Sequence, residues 1–183
     1  MRLYRDAGAE VRPANGNAWN IRFEPGMLRE ILRTAPARFT QCARNPANNV
    51  EIGGDAVVFA PAYGSPFVMD LDKGRRYGTI EDFRNFIKLG QSSPWLHHSG
   101  GTICEPTDIA VNKRHLDMVL SHIRYSDRAF LGSITAPERA EDSIEMCRIL
   151  FGADFVDEHC VIMGNFNTTS PLVLDGVTTA GIR

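Results

Sequence analysis

The chain has 183 residues, 43% of them hydrophobic and 23% charged, with a formal net charge of -2 and a pI near 6.2. That is enough apolar material for a substantial core and excludes compositional disorder. Near-neutral charge, without an Arg-rich run interleaved with aromatics, gives no basis for a nucleic-acid partner. No charged leader with an apolar run opens the sequence and no segment reaches membrane-spanning length, so a cytoplasmic location without membrane contact is expected.

The first convincing element is a helix within "FEPGMLREILRTAP". Pro25 suits its first turn, Met27, Leu28, Ile31 and Leu32 recur at helical spacing, and Pro36 closes it between polar loops. From Val50 to Tyr77 the period becomes that of strands: "VEI", "AVVFA" and "FVMDL" are separated by Gly53-Gly54-Asp55, by a loop holding Tyr63 between Pro61, Gly64 and Pro66, and by a hairpin turn at "DKG". Phe59 and Phe67 fall inside strand-like runs and are expected in the core. Residues 1–78 thus read as a helix followed by antiparallel strands.

A different pattern begins at Thr79 and defines a second region, residues 79–183. Thr79 and Asp82 form a cap pair for a helix with Phe83, Phe86 and Ile87 on one face and Gly90 at its end. "WLHHSGGTI" reads as a strand. A helix from about Asn112 to Arg124 follows, with Leu116, Val119, Leu120 and Ile123 as its expected buried stripe. "AFLGSI" is the next strand, and Thr135 faces Glu138 as the cap of a helix carrying Ala140, Ile144, Cys147 and Phe151. "CVIMGNF" is a third strand, and "SPLVLDGVTTAGI" resembles the opening of another helix. Strands recur about every 31 residues with helices between them, the length a parallel crossover requires. This α/β pattern fits an open sheet or a closed barrel, and the lack of a GxGxxG after a strand gives no support for a dinucleotide fold.

Cys42, Cys104, Cys147 and Cys160 form no CxxC pair and are expected to be reduced, mostly core residues. A bound metal is not expected. His97 and His98 are adjacent and would point to opposite faces of a strand, while His115 and His122 are two helical turns apart. Lys113-Arg114 and Arg75-Arg76 are basic pairs suited either to an acidic partner or simply to solvation. No Ser-His-Asp triad or phosphate loop is apparent.

"GGDAVVFAPAYGSPFVMDLDKGRRYGTIEDF", "EPTDIAVNKRHLDM" and "FLGSITAPERAEDSIEMCRILFG" closely resemble the trimethylamine methyltransferase family. The resemblance covers almost the whole chain and implies the N-terminal part of a TIM (β/α)8 barrel, preceded by a helix and an antiparallel hairpin element. It also implies transfer of a methyl group from a methylated or quaternary amine, of trimethylamine or glycine betaine type, to the cobalt of a corrinoid. That corrinoid is carried by a partner protein, and none is expected to be bound permanently by this chain. The pyrrolysine of some members would fall beyond the sequence, so the amine and the branch stay open. More polypeptide or a second copy is expected to close the sheet, making a homo-oligomer one expectation and a noncatalytic, truncated binding protein the rival reading.

In a barrel, ligands gather at the C-terminal ends of strands. There the candidate residues are Gly100 and Gly101, which permit close approach of a cofactor, followed by Thr102, Cys104 and Glu105. Glu105 either attracts a cationic substrate or caps the segment before Pro106. Ser133 and Thr135 follow the second strand; Asn165 and Asn167 follow the third, with Asn165 the candidate substrate contact and turn formation its rival role. Tyr63 either lays its ring over the barrel mouth, where an aromatic face would hold a fully methylated ammonium, or plugs the interface between hairpin and barrel.

Overall fold

A computed structural model describes residues 1–166, 172–174, 176 and 179–180. Its contacts divide the chain into two compact units, Met1–Ala37 and Arg38–Arg183; the change of sequence period at Thr79 lies inside the second. Asn167 and most of the helix expected after Ser170 lie outside the described residues.

The first unit holds α1 (Arg2–Asp6), an antiparallel hairpin of β1 (Glu10–Pro13) and β2 (Trp19–Arg22), and α2 (Met27–Leu32). The hairpin replaces polar loops expected there. Its apolar alternation is too short to stand out, but Val11 pairs with Ile21 and the Arg5 guanidinium lies 5.6 Å from the Trp19 ring centre. Helix α2 begins after Gly26, so Pro25 precedes its cap, and Leu28, Ile31 and Leu32 are exposed.

In the second unit β4 (Val50–Gly53) pairs with the upstream β3 (Arg38–Gln41), from Gln41 opposite Val50 to Arg38 opposite Gly53. Residues 56–60, expected to be a strand, are not one. Gly53 and Gly54, at φ of 101° and 58°, turn the chain out of the ladder, while Asn49 accepts from the Ala43 N–H at 2.8 Å and folds the connection back onto β3. Phe59 consequently stands 58% exposed rather than in the core. The "DKG" hairpin is present between β5 (Phe67–Asp70) and β6 (Gly74–Tyr77): the Asp70 carboxylate accepts from the Asp72 and Lys73 N–H groups at 3.0 and 2.6 Å, an Asx-type turn. Phe67 is half-buried, tilted against Tyr77 across the hairpin at 4.7 Å.

Helix α3 (Ile80–Ser92) begins at the expected capping box: Thr79 Oγ1 accepts from the Asp82 N–H at 3.3 Å and Asp82 accepts from the Thr79 N–H at 2.9 Å. Asp82 is also gripped by both ends of the Arg76 guanidinium, at 2.5 and 2.7 Å, which ties the hairpin to the helix start and holds the Asp82 carboxyl well below the usual range. The helix runs past Gly90 to Ser92. Its last carbonyls are capped by Arg128, which donates to those of Gly90 and Ser93 at 2.7 and 2.8 Å.

"WLHHSGGTI" is not a regular strand. Even so, the Ser99 N–H donates to the Ala129 carbonyl and the Leu131 N–H to that of Gly100, both at 2.8 Å, so this segment runs parallel beside β7 (Phe130–Leu131). Gly100, at φ of 86°, breaks the ladder there. Strand β7 pairs in turn with β8 (Ile162–Met163), also in parallel. Three parallel segments therefore lie side by side in chain order, linked by α4 (Arg114–Tyr125) and by α5 (Pro137–Phe151) with α6 (Ala153–Glu158).

Helix α4 keeps its expected period but buries a face turned by one residue. His115, Met118, Val119 and His122 are inside, whereas Leu116 is 38% and Leu120 48% exposed. The imidazoles can be buried because both have hydrogen-bond partners. Helix α5 is not capped by Thr135: its N-cap is Ala136 and Pro137 occupies the first turn, where a missing N–H costs nothing. Thr135 instead accepts from Arg139 at 2.6 Å. Ser143 and Cys147 are the buried residues of α5, and Ile144 is 39% exposed.

Among the described residues three core clusters result: one of Cys42, Val119, Phe130, Cys147 and Val161, another of Val68, Phe83, Ile87, Cys104 and Met118, and a smaller one of Ala43, Val50 and Ala129. Phe83 is fully buried. Replacing it by Ala is expected to lower unfolding free energy by about 3–5 kcal/mol, and Thr79→Ala by about 1 kcal/mol. Urea unfolding monitored by circular dichroism measures both; equal effects would contradict this division between core and cap.

Candidate functional site

The segment after Ser99 is shaped by two buried histidines. His98 Nδ1 accepts from the Gly100 N–H at 2.9 Å, which requires that nitrogen to be unprotonated, so Nε2 carries the proton and donates to Gln41 Oε1 at 3.1 Å. The Gln41 amide in turn donates to the Phe130 carbonyl at 2.8 Å. His122 has the same tautomer for a different reason: Nε2 donates to the Gly101 carbonyl at 2.9 Å, leaving Nδ1 to accept from the Ser99 hydroxyl at 2.7 Å. Burial pushes each imidazole down to about 4, so both are neutral at pH 7. Neither histidine's role is visible in the spacing of the sequence, which raises only the question of a metal.

Against this turn lies the Tyr63 loop. The Gly64 N–H donates to the Thr102 carbonyl at 2.8 Å, and the Glu105 N–H to that of Ser65 at 2.9 Å. A Cβ on Gly100 would sit 3.2 Å from Pro61 Cδ and one on Gly101 3.0 Å from Leu131 Cβ. The room left by these glycines is filled by the protein's own side chains, and Gly100 has in addition a positive φ that other residues rarely adopt.

Tyr63, 47% exposed, has its hydroxyl hydrogen-bonded to the Asn165 amide, a residue 102 positions away beyond the end of β8. The structure thus brings Tyr63, Gly100, Gly101 and Asn165 to the C-terminal ends of the three parallel segments. Glu105 is placed differently. Its carboxylate accepts from Arg114 at 2.8 Å, so its charge is already matched; Arg114 also donates to the Ile109 carbonyl at 3.2 Å. Ser133 is engaged with Ser143 of α5, its N–H donating to the hydroxyl at 3.3 Å.

The remaining candidates also have local partners. His97 Nδ1 accepts from the Phe59 N–H at 3.0 Å, and His115 Nε2 meets Asp142 at 2.7 Å, joining α4 to α5. Arg75 lies over the Phe67 ring at 3.6 Å. Burial pushes the thiols of Cys104 and Cys147 up to about 11 and 12, making both poor nucleophiles. Among the described residues, no group of three or more His, Cys, Asp and Glu side chains could hold a metal ion, and no helix is long and apolar enough to cross a membrane.

A cavity of about 490 Å³ is an open groove away from Tyr63, Gly100, Gly101 and Asn165, lined in part by Asn48, Val57, Leu96, His97 and Arg128. Its polar side chains are already engaged: Asn48 donates to Asp127 and Arg128 to the end of α3. Convergent polar groups, rather than volume, mark a binding site, so the strand exits are the better candidate.

The neutral histidines give a pH signature. Unfolding returns both imidazoles from about 4 to the ordinary 6.5, so the unfolded chain binds more protons between those values and stability falls as pH drops through that window. The loss amounts to at most about 3 kcal/mol per histidine, and is complete near pH 4. Asp82, held low by Arg76, adds its own loss only below 3.8. Urea midpoints measured from pH 7 to 4 should report uptake of about two protons on unfolding; a flat profile would contradict the buried neutral pair. Gly100→Ala is expected to cost more than about 1 kcal/mol by the same assay.

Comparison with known proteins adds identity to this geometry. The family model of trimethylamine methyltransferase (MTTB) matches residues 1–183. A glycine betaine methyltransferase of Desulfitobacterium hafniense (strain Y51) is 50% identical over 145 residues, which cover 79% of this chain and 30% of that relative. The chain thus spans about a third of the length of the curated relative it matches. With the match running from the first residue to the last, the chain belongs to the trimethylamine methyltransferase family.

Proposed function

We propose that this chain forms the front part of a methyltransferase acting on a quaternary amine of the glycine betaine type, and that its three parallel segments are the first strands of a TIM barrel. The observation that carries the reading is the meeting of Tyr63 with Asn165 at the strand exits, where barrel enzymes place their sites. The 50% identity to a glycine betaine methyltransferase supports the substrate class.

A fully methylated ammonium has no N–H to donate, so its recognition rests on aromatic faces and charge. Glu105 is matched by Arg114, which leaves the half-exposed Tyr63 ring as the cation's surface on this wall. Asn165 holds the phenol, and the Gly64–Thr102 and Ser65–Glu105 backbone bonds hold the loop. In the reaction the C–N bond breaks, the electron pair stays on the amine nitrogen, and the methyl passes to an acceptor. That acceptor, in this proposal, is the cobalt of a corrinoid carried by a partner protein. The glycine turn is filled by Pro61 and Leu131, so no corrinoid site is assigned to this chain, whose own residues bind and orient the amine.

The test is methyl transfer by the full-length protein from glycine betaine and trimethylamine to a reduced corrinoid protein, followed by the absorbance of cobalt(I). Tyr63→Phe should retain most of the rate, since the ring remains. Tyr63→Leu should lower kcat/KM by about tenfold, the value of one partly exposed cation–π contact. No transfer from any methylated amine, with the cobalt(I) state verified, would reject the proposal; equal activity of the Leu variant would remove Tyr63 from the site.

A further inference from the structure

Gln41 is fully buried, lies in β3 next to Cys160, and is far in sequence from the strand exits. Its side chain nevertheless completes a continuous path. The Phe130 carbonyl accepts from Gln41 Nε2, Gln41 Oε1 accepts from His98 Nε2, and His98 Nδ1 accepts from the Gly100 N–H. Each link fixes the next. A main-chain carbonyl can only accept, so the Gln41 amide must present its nitrogen to Phe130 and its oxygen to His98. That oxygen can only accept, so His98 must carry its proton on Nε2. The remaining nitrogen is then a pure acceptor, aimed at Gly100.

We infer that Gln41 is a positioning residue for the candidate site: by selecting the His98 tautomer it fixes the Gly100 turn on which Pro61 and the Tyr63 loop rest. With a different residue at 41, His98 could place its proton on Nδ1, and two N–H groups would then face one another at Gly100. The inference rests on the proposed function only for the use to which the loop is put; the tautomer and the turn can be read directly.

The experiment uses the full-length protein with its histidines labelled with 15N. Nitrogen shifts of the His98 ring report the tautomer, and amide exchange reports the Gly100 N–H against that of Val119 as a reference for global opening. Wild type is expected to show the Nε2–H form. Gln41→Leu should accelerate Gly100 exchange about tenfold relative to Val119, the effect of one lost ordered hydrogen bond. Adding His98→Asn, whose Oδ1 can stand where Nδ1 stood and needs no tautomer choice, should restore protection in the Gln41→Leu background. A purely structural role for Gln41 predicts no such rescue.

Finding the Nδ1–H form in wild type would overturn the inference, as would unchanged relative protection in Gln41→Leu or failure of the rescue. If Gln41→Leu does not fold, His98→Gln replaces it: this variant keeps an amide near Gln41 but removes the acceptor at Gly100, and undiminished protection there would overturn the inference equally. Tetramethylammonium, titrated while the Tyr63 ring resonances are followed, tests the pocket separately. Absence of a shift with the Nε2–H form and the rescue both in place would sink the pocket reading and leave the role of Gln41 supported.

Discussion

His122 lies inside, where the two larger cores of the second unit meet, and there its imidazole is neutral and bonded at both nitrogens. Its ring stacks on Phe130 at 5.6 Å and receives Phe83 edge-on at 5.3 Å, linking the cluster under β7 and β8 to the one under α3. Its two hydrogen bonds go to Ser99 and Gly101. One side chain therefore sets the rotation of α4, joins the cores and holds the start of the glycine turn. An apolar residue of similar shape could fill the volume, but it would leave the Ser99 hydroxyl without this partner in a buried place.

The turn is held again from the opposite side by His98 and Gln41, so residues 98–101 are fixed by polar bonds rather than by a regular strand. This arrangement suits a functional edge. A ladder would have continued the sheet, whereas the positive φ at Gly100 turns the chain so that Thr102 and Glu105 can pair with the Tyr63 loop. That loop is anchored at its far end by the hairpin of β5 and β6, itself locked to α3 through Arg76 and Asp82. Rigid elements thus support an exposed aromatic side chain, the condition under which a ring can select a ligand by position.

Membership of the family supports the proposed reaction, and the geometry in turn narrows how that proposal can work. Because Glu105 is committed to Arg114 and the glycines to Pro61 and Leu131, the proposed recognition of the amine on this wall falls to the Tyr63 ring, held by Asn165. Those two residues come together only through the fold, across an interval that holds the four helices α3 to α6 and the two parallel strands β7 and β8.

Several features were already written in the sequence. The cap at Thr79–Asp82, the hairpin turn at Asp72–Gly74 and the spacing of the parallel segments depend on neighbouring residues, whose chemistry is local. The motifs around Tyr63 and in "EPTDIAVNKRHLDM" were enough to indicate the family. What only the tertiary structure decided were matters of partner choice: that β4 turns back to β3 instead of pairing with residues 56–60, that α4 buries His115 and His122 in preference to Leu116 and Leu120, and that Glu105 spends its charge on Arg114. Hydropathy ranks a residue by its cost of leaving water, but that cost changes once a hydrogen-bond partner is supplied from a distant segment. Such partners, Gln41 for His98 and Asn165 for Tyr63, exist for a side chain only after the chain has folded.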